Sequence, residues 1–152
     1  MYLTLLTLHS WLRWVVILAG LYAFARAASG ASGRKSWTPA DDRAGFWFSA
    51  ALDVQVLLGL VLYFFLSPLT AAALNDFGAA MKDSGLRFFA VEHVLGMLIG
   101  VALAHIGRAR ARKADSFRRH KVAAIFFGLA LIAILATVPW PGTSNARPLV
   151  RW

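Results

Sequence analysis

The sequence predicts an all-α integral membrane four-helix bundle, and three observations carry that prediction. Four apolar runs lie along the 152 residues, each near the ~20 residues that a helix needs to cross ~30 Å of hydrocarbon. Hydrophobic residues make up 59% and charged residues 15%, against roughly 25% charged in an ordinary soluble domain; a single core of this size cannot hide the excess. The basic residues, finally, gather in two of the three connecting loops. Inside lipid every backbone polar group must bond within its own segment, so the runs are expected to be helices and not strands.

The first run is Leu3–Ala25, interrupted by His9, Ser10 and Arg13. No Lys or Arg precedes Arg13, so it lacks the positive n-region of a cleaved signal and reads as a retained span. The second is Phe46–Leu66, carrying Asp53 and Gln55. The third is Phe88–Ile106, opening with Glu92 and His93. The fourth is the uncharged Val122–Val138, with its helix starting from His120 or Lys121. Ser29–Ser36 reads as a Gly/Ser-containing turn, and Leu69–Leu86 as a longer loop that holds a short interfacial helix. Pro139 and Pro141 end the last span, and the tail is expected to be irregular. Spans two and four share a Gly-Leu-x-Leu run followed by proline (Gly59–Leu62 with Pro68, Gly128–Leu131 with Pro139). Such a pattern suits two parallel helical hairpins.

The formal net charge is +9 and the pI about 11.1, values that a nucleic-acid-binding protein would also show. Position decides otherwise. Arg26, Arg34, Lys35 and Arg43 lie between spans one and two, and Arg108, Arg110, Arg112, Lys113, Arg118, Arg119 and Lys121 between spans three and four, eleven of the sixteen Lys and Arg. The opposite side has Lys82, Arg87, Arg147 and Arg151. The positive-inside rule puts the two basic loops in the cytoplasm and both termini outside. The run Arg108–Lys121 is therefore a topology signal, and no nucleic-acid partner is expected. Trp11, Trp14, Trp47, Trp140 and Trp152 lie near span ends, where amphipathic rings prefer the interface. The chain has no cysteine, which excludes disulfides, thiolate metal sites, iron–sulfur ligation and c-type haem attachment.

Ionisable residues within a span are functional candidates by default, because they are costly unless paired or facing a cavity. Arg13, Asp53, Glu92, His9 and His93 meet that condition. At ~1.5 Å per residue, His93 lies about 8 Å below the outer end of its span and His9 about 5–9 Å below the end of its own. Two imidazoles on different helices thus share one level. Two neutral imidazoles opposed across a bundle are what b-type haem requires of its axial positions. Arg13, one turn deeper than His9 on the same face, is placed to hold an anionic propionate, with Glu92 beside His93. Gly96-Met-Leu-Ile-Gly100 is a G-x-x-x-G pattern that admits a neighbouring helix or a flat ligand. Other readings stand beside these. Arg13 can pair with Glu92 or Asp53 to set helix register, Asp53 can relay protons, and Gln55 can bond between helices. His105 and His120, near the inner boundary, either bracket a second haem or contact lipid headgroups. No hydrolytic constellation, nucleotide motif or H-E-x-x-H is present, so catalysis by this chain alone is not expected.

The segments His9-Ser-Trp-Leu-Arg-Trp14, Gln55-Val-Leu-Leu-Gly-Leu-Val-Leu-Tyr63 and Ala90-Val-Glu-His-Val-Leu-Gly-Met97, with Ile106-Gly-Arg108, Arg119-His-Lys121 and Pro139-Trp-Pro141, resemble a family of small bacterial four-helix membrane proteins catalogued as cytochrome b-like. The resemblance runs in order over nearly the whole chain. It implies a bacterial cytoplasmic-membrane protein, b-type haem and electron transport. His9, His93 and His120 match histidines of that family. A further family histidine, two residues before the glutamine, is Asp53 here, and His105 falls where the family has none. Three functions are therefore expected in turn. The first is a haem protein carrying electrons within the bilayer, with His9 and His93 as axial ligands. The second is a non-catalytic accessory subunit of a larger membrane or redox complex. The third is a small quinone-binding or proton-handling transporter using Arg13, Asp53 and Glu92.

Overall fold

The computed structural model describes residues 1–33 and 35–151; Arg34 of the first basic loop and Trp152 of the aromatic set lie outside the described residues. The chain is all-α, with no strand among the described residues. Helix α1 spans Tyr2–Gly33 and α2 spans Pro39–Val61, continued by a π-helical turn over Leu62–Leu66. Three short helices follow, α3 (Pro68–Asn75), α4 (Phe77–Ala80) and α5 (Ser84–Arg87). A second π-helical turn, Phe88–Glu92, leads into α6 (His93–Lys113), and α7 covers Ser116–Ala136. Four of these stretches are long and apolar enough to cross a membrane, and only 22–33% of the most apolar part of each is buried inside the protein. The outward faces, with Leu18, Trp47, Leu57, Phe65 and Ile132 all exposed, require an apolar solvent, so the protein is a multi-pass membrane protein.

The helices outrun the apolar runs at the end carrying the basic loops. α1 continues through the expected Ser29–Ser36 turn as far as Gly33, because Ser29 Oγ and Ser32 Oγ bond back to the carbonyls of Arg26 and Ser29 (3.0 and 3.3 Å) and nothing breaks the backbone ladder. Hydropathy marks where lipid stops, not where a helix stops. α2 begins at Pro39, whose missing N–H costs nothing at the first helical position. Asp41 accepts from the backbone N–H and Oγ1 of Thr38 (2.8 and 2.6 Å) and from Arg26 (2.8 Å), tying the α1 extension to the start of α2. Asp42 pairs with Arg112 (3.2 Å) and Arg108 (3.6 Å), tying α2 to α6. The loop at the opposite end does contain short helices, and α3, α4 and α5 are capped by Ser67, Asp76 and Asp83.

α1 packs on α2 and α7, and α6 packs on the same two helices. The cross-section is thus a square in which α1 and α6 occupy one diagonal and α2 and α7 the other. Hairpins α1–α2 and α6–α7 run parallel. Neighbouring helices approach closely because small residues line their contacts. A Cβ on Gly96 would overlap Thr137, one on Gly107 would overlap Phe126, and one on Gly30 would overlap the His120 ring. With neighbours so close, side chains meet across the diagonals. Phe48 and Phe127 do so edge to face at 5.7 Å, both almost wholly buried.

Gly107→Ala should lower the melting temperature of the detergent-solubilised protein, since overpacking against Phe126 costs about 1–3 kcal/mol. Gly78→Ala, whose new Cβ meets only Asp76 Oδ1 at 3.6 Å, should leave it unchanged or raise it slightly. Equal melting temperatures for the two variants would refute the close α6–α7 packing.

Candidate functional site

At the end opposite the basic loops, the square opens into a cavity of about 160 Å³. All four long helices contribute to it. His9, Ser10 and Arg13 come from α1, Gln55 and Gly59 from α2, His93 and Met97 from α6, and Ile134 from α7; Arg147, Pro148 and Arg151 of the tail also line it. Two expected residues, His9 and His93, are brought together across the α1–α6 diagonal, with ring centroids 6.3 Å apart and ring planes 73° apart.

Each imidazole is oriented by a bond to another helix. His93 Nδ1 lies 2.7 Å from the carbonyl of Thr137, at the C-terminal end of α7. A carbonyl only accepts, so His93 carries its proton on Nδ1 and leaves Nε2 as a lone-pair acceptor. The carbonyl in turn is one of the orphans that every helix end must satisfy. Gln55 Nε2 donates to the backbone carbonyl of His9 (3.0 Å) and lies 3.3 Å from His9 Nε2. Because only an N–H can donate to that carbonyl, the amide orientation is assigned by it. The second amide proton then faces His9 Nε2, which accepts, and His9 is protonated on Nδ1. Gly59 makes room for this ring; a side chain there would begin 3.2 Å from His9 Cε1.

Three polar atoms on cavity-lining residues are buried without a hydrogen-bond partner: His9 Nδ1, Arg13 Nε and Gln55 Oε1. Two are donors and one is an acceptor. Buried polar atoms are nearly always paired, so such a group at one place calls for a ligand or ordered water. Above them the tail closes over the cavity. The Leu149 carbonyl accepts from Arg13 Nη2 (2.5 Å) and Trp14 Nε1 (3.0 Å), and the Arg151 carbonyl from Trp11 Nε1 (3.0 Å). Arg147 lies over the Phe89 ring at 4.7 Å. The two π-helical turns frame the same end. Their wider winding frees carbonyls that side chains then satisfy. Tyr63 donates to Ala90 O (2.9 Å), and Thr70 to Tyr63 O (2.6 Å).

The remaining expected residues lie elsewhere. Glu92 is exposed and pairs with Arg87 at 2.8 Å, and Asp53 pairs with His105 at 2.8 Å. Arg13 therefore takes neither carboxylate and binds the tail instead. Gly96 and Gly100 pack against Thr137 and Ile134 of α7, so this G-x-x-x-G admits a helix and not a ligand. His105 and His120 are not brought together. His105 is on the outward side of the α2–α6 contact, whereas His120 is buried between Gly30 and Trp37, its ring 4.9 Å from the indole. Among the described residues no cluster of three or more His, Asp or Glu is placed to hold a metal. The contributions of the Thr137, Leu149 and Arg151 carbonyls are backbone groups, which carry no residue-type signal in the sequence; Gln55 alone had a signal, as a polar residue within an apolar run.

For b-type haem the donor set is suitable. Two imidazoles come from opposite helices, and a metal with two nitrogens at about 2 Å would hold ring centroids about 6 Å apart. The surroundings do not fit the macrocycle. His9 Nε2 is taken by Gln55 of α2, and the cavity of about 160 Å³ is close to the ~150 Å³ that takes a single benzene ring. No family model, curated protein or solved structure matches the chain.

Arg13→Gln combined with Trp14→Phe should release the tail. Amide hydrogen exchange over residues 138–151 is expected to rise roughly tenfold or more, the equivalent of ~1.4 kcal/mol of lost bonding, with the interior of α7 unchanged. Unaltered exchange would show that the Leu149 clamp does not hold the tail.

Proposed function

We propose that the chain is a membrane protein that binds the ring of a lipid-soluble quinone in the cavity between His9, Gln55 and His93. The observation that carries this reading is the set of unpaired buried polar atoms on residues lining a single-ring-sized cavity. A quinone ring presents carbonyl acceptors and its reduced form hydroxyl donors. His9 Nδ1–H and Arg13 Nε–H suit the first, Gln55 Oε1 and His93 Nε2 the second. Leu6, Leu60, Leu69 and Met97, also in the lining, suit the apolar chain that such a molecule carries. By the positive-inside rule the basic end faces the cytoplasm of a bacterial cell and the cavity opens on the other side. The residues in hand bind and orient a ring and hold protons; the electron donor and acceptor would be other membrane components.

A second reading is a b-type haem protein carrying electrons in the bilayer, favoured by the 6.3 Å imidazole pair and by the resemblance to cytochrome b-like proteins. It needs His9 to leave Gln55 and the cavity lining to open for the macrocycle. Both readings meet one experiment on protein purified from membranes in mild detergent. Solvent extraction followed by chromatography reads bound quinone, and a reduced-minus-oxidised spectrum reads haem. The expected result is quinone near one per chain and no haem α-band, with Gln55→Leu weakening quinone binding roughly tenfold, one lost hydrogen-bonding centre. An α-band that His9→Ala and His93→Ala both abolish would install the haem reading in its place. Neither ligand would sink both, leaving an accessory subunit of a larger complex.

A further inference from the structure

A second concavity lies between α1 and α2, near the basic end of the bundle. Its volume is about 270 Å³, and Ala19, Tyr22, Ala40, Arg43, Ala44 and Trp47 line it. The three alanines leave the space, and Tyr22 and Trp47 wall it, 57% and 63% exposed. Arg43 is three residues before Phe46, where the second apolar run begins. At ~1.5 Å per residue it stands about 4–5 Å beyond the hydrocarbon, at headgroup depth. Tyr22 and Trp47 lie within one turn of the same boundary on its apolar side, where amphipathic rings prefer to sit. Deeper along the two helices the exposed residues are apolar, among them Val15, Leu18 and Val54.

The polar side chains of this groove all have a proton to donate. Arg43 gives Nε to the Pro39 carbonyl (3.3 Å), and its two terminal nitrogens have no partner among the described residues. Tyr22 accepts from Arg26 (3.5 Å), which leaves its hydroxyl proton free, and the Trp47 indole N–H can only donate. The neighbouring carboxylates are engaged elsewhere. Asp41 is 5% exposed and held by Thr38 and Arg26, and Asp42 faces Arg108 and Arg112 of α6. Arg43 is left as an uncompensated cation. We infer that the groove binds one phospholipid with an anionic headgroup, its phosphate on Arg43, Tyr22 and Trp47 and an acyl chain along the alanines. A phosphodiester anion accepts hydrogen bonds and donates none, and two parallel guanidinium N–H groups match its oxygens. A zwitterionic lipid adds an ammonium group that the basic residues of this end repel. A protein segment would have to bring an anion to headgroup depth and an apolar group into the hydrocarbon beneath it; one lipid molecule presents both. Basic pockets between spanning helices recognise anionic lipids in this way. The inference is independent of what fills the cavity at the other end of the bundle.

The test is native mass spectrometry of the delipidated protein in detergent, incubated with equal amounts of phosphatidylglycerol and phosphatidylcholine. The expected result is one phosphatidylglycerol per chain, preferred roughly fivefold, which is what one basic side chain contributes at a membrane surface. Arg43→Gln should abolish the preference. Arg110→Gln, exposed at the same end but lying over Phe126 at 5.4 Å, should keep it. Ala40→Leu, which fills the groove, should lower retention of both lipids while leaving the melting temperature of the lipid-free protein unchanged, so that the loss reports on occupancy and not on folding. Excess inorganic phosphate should not displace the bound lipid. Equal retention of the two lipids by the wild type, equal losses in Arg43→Gln and Arg110→Gln, full retention by Ala40→Leu, or displacement by phosphate would each overturn the inference.

Discussion

Everything at the candidate site depends on how closely neighbouring helices approach. In a square bundle the diagonal is set by the sides. Glycine and alanine at the contacts, Gly96 and Gly107 on α6, Gly20 and Gly30 on α1, bring backbone against side chain and shorten every side. Medium-sized rings then reach across the middle, Phe48 to Phe127 in the half nearer the basic loops and His9 to His93 in the other. The same closeness explains why the His93 ring reaches a backbone carbonyl of α7, a bond that a wider bundle would leave to water. Lipid offers no hydrophobic drive between helices, so this interdigitation and a few polar bonds carry the association.

The two ends of the bundle are built differently. At the basic end carboxylates face cations. Asp41 satisfies Thr38 and Arg26, and Asp42 gathers Arg108 and Arg112. Carboxylates placed at the start of α2 also face the favourable pole of that helix. At the other end Arg13, Arg147 and Arg151 line the cavity with no carboxylate among the described residues, and Arg13 leans on a carbonyl of the tail.

Much of this was legible in the sequence, and the failures have identifiable reasons. The four spans, the short helices between α2 and α6, the irregular tail and the common level of His9 and His93 followed from apolar run length and from rise per residue. Helix ends did not, since Ser29 and Ser32 continue α1 by bonding to their own helix. Rotation was the larger gap. Placing Gln55 towards His9 obliges Asp53, about 200° away around the same helix, to face outward; the two residues together held that information, and an Arg13–Asp53 pair was incompatible with it. Gly96 and Gly100 carried no sign of which surface they would meet. Backbone carbonyls as partners, at Thr137 and Leu149, had no signature at all.

The orientation of Gln55 limits what the cavity can accept. Its amide is held by the His9 carbonyl, which as part of α1 cannot turn away, so the nitrogen end stays fixed and Oε1 is the end left to a ligand. His93 is fixed in the same manner by Thr137 and presents Nε2. Two acceptors thus come from α2 and α6, while the donors His9 Nδ1 and Arg13 Nε come from α1. A molecule that alternates between accepting and donating, as a ring does on passing between its carbonyl and hydroxyl forms, would find groups of both kinds on the lining residues. A ligand with one fixed polarity would leave half of these groups unpaired, at a cost of about 1–3 kcal/mol for each. Pre-oriented groups of both kinds around a space for one ring therefore favour an occupant whose own hydrogen-bonding character changes.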